Sequence, residues 1–496
     1  MKLKNNTLPR CIALVLILAL CMTMFTACGE EDLTAEEVDT ELLTTLYEIN
    51  KSAVFGAPDT ATIANYIYEW GMLNDKFKVS HDSHDNVIIS TTATDENYEN
   101  SASTILHCSL DINTPDRTAQ AMTAIMYILQ YSENHGFIRA LFTEPTQGLE
   151  NIKESYLTAD NFVTLDSAKN NTIITTAASR HDYRVTKEIT YQEATYTNAF
   201  EITIMGLVGT HAGKTTQLNA VKTLGKMLAE LKSTGALIEI VSLCSGYMDE
   251  DGNFAADITP GTSFPRGAQA IVLVNDNDVN KLTKKVTKSQ SKTIDKYQET
   301  NPDIVYSFNE VDRTAYPMVI SPDDTSAIIS FIYTSLYGIY DKDDEGEPIA
   351  VNNITYCTTS GGSFEIDLTA ISLSESKMET LDKTVSTLCG LYDLEHEKLD
   401  IADLWEMAQP TDSETGEPAL DEDGNPNYRV YPIVDAMCAA AYDIYEKDTQ
   451  FGPSFENASI VKVLERIPDA NIIAYGVTDK NLERQTATLL TFCERL

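Results

Sequence analysis

Five side chains of types that move protons or bind metal ions lie near the ends of predicted strands. They are three carboxylates and two imidazoles: His107, Asp111, Glu144, Asp166 and His211. An α/β sheet usually places its chemistry at strand ends, where the loops of neighbouring strands meet at one edge. Any one of these residues taken alone is more often a surface group or a satisfied polar group. Their order along the chain therefore matters more than any single residue.

The elements that must position these residues alternate between helices and strands rich in β-branched residues. Helices are predicted over 34–49, 61–73 and 118–131, and the first opens with the capping box Thr34-Ala35-Glu36-Glu37. The predicted strands are 86–91, 104–112, 137–142 and 161–165. This order predicts an α/β sandwich.

A different pattern interrupts the sandwich. From about Tyr191 the chain reads as roughly two strand–helix–strand units in series, which predicts an inserted α+β domain. Helices are predicted in it at 217–232, 278–298, 322–340 and 376–391, and signals of the first kind return from Tyr431. The predicted sandwich thus comprises 35–190 and 396–496, and the inserted lid domain comprises 191–395.

The N-terminus has the pattern of a bacterial lipoprotein signal. Three cations (Lys2, Lys4 and Arg10) precede an apolar run over 11–24, and Phe25-Thr26-Ala27 leads directly to Cys28. That run is shorter than the ~20 residues of a membrane-spanning helix. We predict a signal peptide at 1–27, a lipidated Cys28, an acidic spacer at 28–34, and a place on the extracytoplasmic face of the bacterial cell membrane. A plain signal peptide or a short anchor is the alternative.

The charge and the cysteines exclude some classes of protein. The 496 residues carry 36 Lys+Arg against 75 Asp+Glu, a net charge of −39, and loss of the signal peptide would make it −42. Such acidity argues against a phosphate backbone as a ligand, so no nucleic-acid partner is predicted. The six cysteines after Cys28 are widely spaced, which predicts buried thiols rather than a metal or disulfide framework.

The order of the candidate residues resembles that of the aminoacyl-histidine (cytosol non-specific) dipeptidases, a family of co-catalytic zinc metallopeptidases. Residues 156–167 resemble the strand that ends in the family's zinc-binding Asp-Ser, and 206–213 resemble its lid motif G-L-x-G-x-H-S-G. Phe264-Pro265-Arg266 is similar to the lid's I-P-R, and Phe364-Glu365-Ile366 to a later hairpin strand. The resemblance spans most of the mature chain. It implies a zinc-aminopeptidase-like α/β sandwich with an inserted α+β lid or dimerisation domain, in which His211 and Arg266 bind substrate.

The resemblance carries over only part of the family's active site. Five ligands hold two zinc ions there, and a glutamate is the general base for the bridging water. In this chain Asp166 matches a metal ligand, Glu144 matches the base, and Asp111 matches the aspartate that supports a ligand histidine. Other residues replace three ligands: Ser109, Arg117 (or Asp116, if the register slips by one) and Pro145. The loop of the late histidine is missing between Val477 and Asn481, and Ile371 replaces a lid arginine.

One ligand in five does not make a zinc site, because catalytic zinc needs about three protein ligands. We therefore predict a protein without a cofactor, in which the Arg117 guanidinium neutralises the remaining carboxylates. The resulting hypothesis is a non-hydrolytic lipoprotein that binds a peptide or an amino acid between its domains. One alternative is an active metal-dependent dipeptidase or aminopeptidase with two zinc ions and a rearranged site of His107, Asp111, Asp116, Glu144 and Asp166. Another is a partner-binding ectodomain that forms a homodimer through its lid.

Overall fold

The structure is a computed structural model that describes residues 38–495, except 95, 113, 146, 168, 211–212, 214–216, 250, 258–262, 412–414, 423 and 456–457. The side chains of Asp166, Ser167, Ala458 and Asp479 also lie outside the description. The predicted signal peptide, Cys28, the acidic spacer, the capping box and His211 fall among the residues not described.

Twelve α-helices are present in the described part of the chain. They are α1 (Thr40–Phe55), α2 (Thr60–Met72), α3 (Pro115–Tyr131), α4 (Gly148–Asn151), α5 (Glu154–Leu157), α6 (Ala220–Lys232), α7 (Val279–Tyr297), α8 (Pro322–Thr334), α9 (Glu375–Tyr392), α10 (Pro432–Tyr445), α11 (Ala458–Arg466) and α12 (Leu482–Arg495). The first begins after Asp39, whose carboxylate accepts a hydrogen bond of 2.8 Å from the Leu42 N–H. Considered over the described ranges, no helix is both long and apolar enough to cross a membrane.

The sandwich is built on a nine-stranded mixed sheet. Its strands are β1 (Lys78–His81), β2 (Val87–Ser90), β3 (Thr104–Ser109), β4 (Ile138–Thr143), β5 (Asn161–Ser167), β6 (Thr172–Ala177), β19 (Trp405–Glu406), β20 (Gln450–Ser454) and β21 (Ile472–Gly476). The order is β1-β2-β4-β3-β5-β21-β6-β19, with β20 paired to β6. The central strands β4, β3, β5 and β21 are parallel to their neighbours within this group.

Helices cover both faces of this sheet. Successive residues of a strand point to opposite faces, so each strand contributes side chains to the core on either side. Ile105 and Leu141 pack into the core on one face, together with residues of α4, α5 and α11. Leu106 and Phe142, one residue further along each strand, pack on the other face against α1, α2, α3, α10 and α12. The predicted fold class, an α/β sandwich, is confirmed by this three-layer arrangement.

The inserted segment forms two five-stranded antiparallel sheets and a short ribbon. One sheet has the order β11 (Phe254–Ala256), β10 (Ile238–Met248), β12 (Gly267–Val274), β9 (Asn198–Met205) and β13 (Val305–Val311). The other has the order β15 (Gly338–Lys342), β16 (Pro348–Thr358), β17 (Ser363–Ser372), β7 (Ser179–Glu188) and β18 (Glu395–Ala402). The ribbon pairs β8 (Tyr191–Glu193) with β14 (Met318–Ile320). The predicted α+β character of the insertion is confirmed.

The inserted elements share one hydrophobic core, which includes Tyr183 and Val185 of β7 as well as residues of α6, α8 and α9. The predicted boundary between 190 and 191 follows β7, and the boundary between 395 and 396 falls inside β18. Both strands belong to the inserted sheet. The prediction of one helix over 322–340 is wrong: α8 ends at Thr334, and Gly338 opens β15 with a positive φ of 79°.

The cysteines are as predicted. All six described cysteines are free thiols; Cys244 is half-buried and the other five are buried. Burial raises the pKa of the Cys244 thiol to about 11, helped by the nearby Asp257. The Cys244 thiol is therefore protonated at neutral pH and acts as a small apolar side chain.

Candidate functional site

The parallel strands β3, β4 and β5 bring the predicted site residues to one edge of the sandwich sheet. Ser109 at the end of β3 lies opposite Thr143 at the end of β4, and His107 lies opposite Thr164 of β5. Asp111 and Glu144 therefore follow neighbouring strand ends, and the backbone of Asp166 lies at the same end of β5. The ends of these three strands therefore meet at one edge of the sheet.

Asp111 is the buried carboxylate of this edge, with 3% of its surface exposed. Its Oδ2 accepts hydrogen bonds from Ser263 Oγ at 2.9 Å and from Thr114 Oγ1 at 3.1 Å. Its backbone carbonyl accepts a third from Thr118 Oγ1 at 2.9 Å. Because Ser263 belongs to the inserted segment, this carboxylate joins the two domains.

Arg117 reaches the same carboxylate through a hydroxyl group. Its Nη2 donates to Thr114 Oγ1 at 3.2 Å, and Thr114 donates in turn to Asp111. Arg117 lies in the first turn of α3, immediately after Asp116. The Arg117 guanidinium is thus connected to Asp111 by two hydrogen bonds through Thr114. The resemblance implies a bridging metal ligand at Arg117 or at the preceding residue. The neutralising role of Arg117 toward Glu144 and Asp166 stays a prediction.

One backbone hydrogen bond and one side-chain hydrogen bond position Glu144. Its N–H donates to Asn86 Oδ1 at 3.0 Å, and its Oε2 accepts from the Gln147 N–H at 2.6 Å. Asn86 is fully buried, and its amide also donates to Asp82 Oδ2 and to the Gly148 carbonyl. Asn86 therefore positions Glu144, a role that no local sequence signal indicates.

Arg266 supplies a half-buried guanidinium whose charge interacts with that of Asp111. It lies over the ring of Tyr247, with its Cζ 4.9 Å from the ring centroid. Burial lowers its pKa, while the charges of Asp257, Tyr247 and Asp111 act in the opposite direction. Burial in turn raises the pKa of Asp257, against a hydrogen bond from Ser245 and the charge of Arg266. Arg266 therefore lies where the inserted domain meets the sandwich, among acidic groups from both.

The two segments that carry the lid resemblance lie side by side. The Leu207 N–H donates to the Arg266 carbonyl at 3.1 Å, and the Phe264 N–H donates to the Thr210 carbonyl at 3.0 Å. The backbone thus brings the segment before His211 against Phe264-Pro265-Arg266. The side chain of His211 lies outside the described residues, so its predicted contact with substrate stays a prediction.

Two residues of the rearranged-site alternative face elsewhere. His107 is fully buried, and its Nδ1 and Nε2 lie 3.0 Å from Thr164 Oγ1 and 2.9 Å from Thr143 Oγ1. The imidazole thus links β3 to both neighbouring strands inside the sheet. Asp116 is 42% exposed, and its Oδ1 lies 3.9 Å from Lys51 Nζ of α1. The contacts of His107 and Asp116 are with other strands and with α1, so they do not favour the alternative of a rearranged metal site.

The described residues do not fit a pair of zinc ions. Within the described ranges, no group of three or more His, Cys, Asp and Glu side chains is placed to hold a metal ion. The resemblance implies ligands at the positions of Ser109 and Pro145, which supply no strong ligand, and at a third position, which is that of Arg117 or, if the register slips by one, that of Asp116. The Oδ2 of Asp111 already accepts two hydroxyl hydrogen bonds.

Comparisons with known proteins add a likeness in overall shape. No protein-family model matches the chain, and a search of curated proteins found no match. Similar solved structures include the aminoacylhistidine dipeptidase of Vibrio alginolyticus, with 16% identity over 94% of this chain and 98% of that chain and a TM-score of 0.49. A tripeptidase of Staphylococcus aureus has 9% identity over 92% of this chain and 98% of that chain, with a TM-score of 0.45. An M20 family metallo-carboxypeptidase of Sulfolobus solfataricus has 10% identity over 89% of this chain and 98% of that chain, with a TM-score of 0.38. At these identities and scores, the likeness says nothing about what this chain binds or catalyses.

Proposed function

We propose that the chain is an extracytoplasmic protein with a dipeptidase-like fold that binds a peptide or an amino acid between its domains without hydrolysing it. The half-buried Arg266, whose guanidinium interacts electrostatically with Asp111, is the observation that carries this proposal. A guanidinium is suited to bidentate pairing with a carboxylate, and it is poorly suited to activating water.

The arrangement supplies complementary charges for a zwitterionic ligand. Arg266 would pair with the ligand carboxylate, while Asp111 and Glu144 would attract its ammonium group. Without metal ions Glu144 has no activated water to deprotonate, so hydrolysis lacks its nucleophile. Binding without turnover follows from these two properties.

The proposal extends to the location of the protein. The N-terminal pattern supports a lipid anchor on Cys28, and a second acyl chain would make the attachment stable. Cell fractionation tests this, because Cys28→Ser should move the protein out of the membrane fraction.

Calorimetric titration with dipeptides and free amino acids tests the binding function. We expect Arg266→Met to weaken binding of a dipeptide by roughly 10- to 100-fold, because a charge-assisted hydrogen bond contributes about 1.5–3 kcal/mol. Arg266→Lys should weaken dipeptide binding less, since lysine keeps the positive charge and lacks only the planar, bidentate donor geometry of the guanidinium. Arg429→Met is the control, because Arg429 is exposed and pairs with Asp435. Equal binding by Arg266→Met and the wild type would contradict the proposal, as would dipeptide hydrolysis that Glu144→Gln abolishes.

A further inference from the structure

The inserted domain carries a groove lined by lysines between α6 and α7. Six lysines line it: Lys222, Lys226, Lys285, Lys288, Lys292 and Lys296. Its volume is about 380 Å³, and the buried residues Leu218, Met227 and Thr293 contribute to its wall. It is a different surface from the edge that holds Asp111 and Arg266.

These two helices concentrate positive charge in an acidic molecule. Helices α6 and α7 together contain nine lysines and two acidic residues, Glu230 and Asp295. The whole chain has 36 basic and 75 acidic residues, so a quarter of its basic residues lie on two helices. A local positive field of this kind attracts anions even though the net charge is −39.

The polar contacts of the groove leave much of this charge facing solvent. Glu230 forms an ion pair with Lys285, and that hydrogen bond, with the charges of Lys285, Lys226 and Lys292, lowers its pKa. Lys222 donates to the carbonyls of Ile332, Tyr333 and Ser335 at 2.7–2.8 Å, and burial lowers its pKa to about 8. A separate set of four lysines is exposed along the groove: Lys226, Lys288, Lys292 and Lys296.

The lysines of α7 form a row. Lys285, Lys288, Lys292 and Lys296 follow one another at intervals of three or four residues, which places them on one face of the helix. At 1.5 Å per residue the row extends over about 16 Å. A row of separate charges of this length suits an extended chain of anions better than it suits one small anion.

We propose that this groove binds a linear phosphodiester polymer that carries no bases. Lysine is a compact point charge with three donors and binds phosphate well without needing planar geometry. Channels for single-stranded nucleic acids also use aromatic rings on which bases stack. Here Lys296 Nζ lies 4.7 Å from the centroid of the Tyr297 ring, and the Tyr337 hydroxyl donates to the Gln217 carbonyl at 2.8 Å. Both aromatic side chains that line the groove thus make contacts within the protein.

Fluorescence anisotropy with an end-labelled, ten-unit abasic phosphodiester oligomer tests the proposal on the full chain in non-ionic detergent. With four to five lysine contacts, we expect affinity to fall about 50-fold between 50 and 200 mM salt. The triple variant Lys288→Gln/Lys292→Gln/Lys296→Gln should bind at least about tenfold more weakly and show a salt slope smaller by about two.

The matched control removes the same charge elsewhere. Lys153→Gln/Lys284→Gln/Lys447→Gln changes three exposed lysines, of which Lys284 lies on α7 outside the groove lining. Its affinity should stay within about twofold of the wild type. Equal losses in the two triple variants would overturn the proposal, because the effect would then follow net charge alone. Thermal unfolding of both variants checks that the fold is intact.

Three further results would also overturn it. Oligothymidylate of the same length that binds more than about tenfold tighter would indicate base recognition. Binding to phosphatidylglycerol vesicles without binding to the free oligomer would indicate a membrane surface. Polyglutamate that binds as tightly as the oligomer would show that the groove does not prefer phosphate. Binding of the abasic oligomer that only the groove variant loses supports the proposal.

Discussion

Replacing Arg184 by methionine is expected to lower the free energy of unfolding by about 3 kcal/mol at pH 8. Arg184 Nε and Nη2 donate to Oδ1 and Oδ2 of Asp367, both at 3.1 Å, and the Asp367 side chain is only 5% exposed. Arg184 Nε also lies 3.1 Å from Glu365 Oε1. Removal of the guanidinium leaves a buried carboxylate without its cation, which is among the most destabilising changes a single substitution makes.

The size of this effect should depend on pH. Burial raises the pKa of Asp367 to about 6, although the Arg184 hydrogen bonds and charge oppose the rise. A carboxyl group whose pKa is higher in the folded state favours folding when protonated, so its contribution is full below its ordinary pKa of 3.8 and is lost as pH rises through about 6. Without Arg184 the pKa should rise further. The variant should therefore be less destabilised at pH 5 than at pH 8.

Urea unfolding at the two pH values measures both effects. The double variant Arg184→Met/Asp367→Leu should recover most of the lost stability, because it removes the buried carboxylate together with its half-buried partner. Arg429→Met, which breaks an exposed pair with Asp435, should cost less than about 1 kcal/mol. A loss below about 1 kcal/mol for Arg184→Met at pH 8 would show that the buried pair does not stabilise the fold.

Gly206→Ala should lower the free energy of unfolding by a comparable amount, because the backbone conformation and surroundings of Gly206 leave no room for a side chain. Gly206 opens the segment that resembles the lid motif, and its φ is +75°. A Cβ atom there would lie 2.0 Å from the carbonyl oxygen of Asp303, a backbone atom that cannot rotate away. Strain in the left-handed region adds about 1–2 kcal/mol, so we expect a total loss of about 4 kcal/mol or failure to fold.

Gly252→Ala is the matched control for this substitution. Gly252 has nearly the same φ, +79°, but a Cβ atom there would meet nothing within 4 Å. Gly252→Ala should therefore lower the free energy of unfolding only by the cost of the left-handed backbone conformation, about 1–2 kcal/mol. Thermal unfolding of the two variants separates the terms, and equal losses would show that the contact with Asp303 contributes nothing.

Local patterns predicted much of this architecture. The β-branched runs near Asp111, Glu144 and Asp166 predicted three strands of the sandwich sheet, with candidate residues near their ends. The acidic Asp249–Asn253 turn was predictable for a similar reason, since Gly252 takes the positive φ that the turn needs. Spacing along the chain therefore fixed which elements form and which strand ends matter.

Contacts between distant segments were not predictable in this way. Ser263 reaches Asp111 across 152 residues, and nothing near either residue indicates the pairing. His107, one of the candidates for chemistry, is instead a link between three strands, because both ring nitrogens meet threonine hydroxyls inside the sheet. The lysine groove also escaped prediction, since net charge averages over the whole chain and hides two helices that carry nine lysines.

The zinc content of the full-length protein, loaded with zinc and then desalted, tests the proposed non-hydrolytic function most directly. The proposed function takes Ser109, Pro145 and Arg117 as replacements of three metal ligands, and it therefore predicts well under one zinc ion per chain and no release of amino acids from dipeptides. About two tightly held ions per chain, with dipeptide hydrolysis that Glu144→Gln abolishes, would contradict this function and establish a working metallopeptidase.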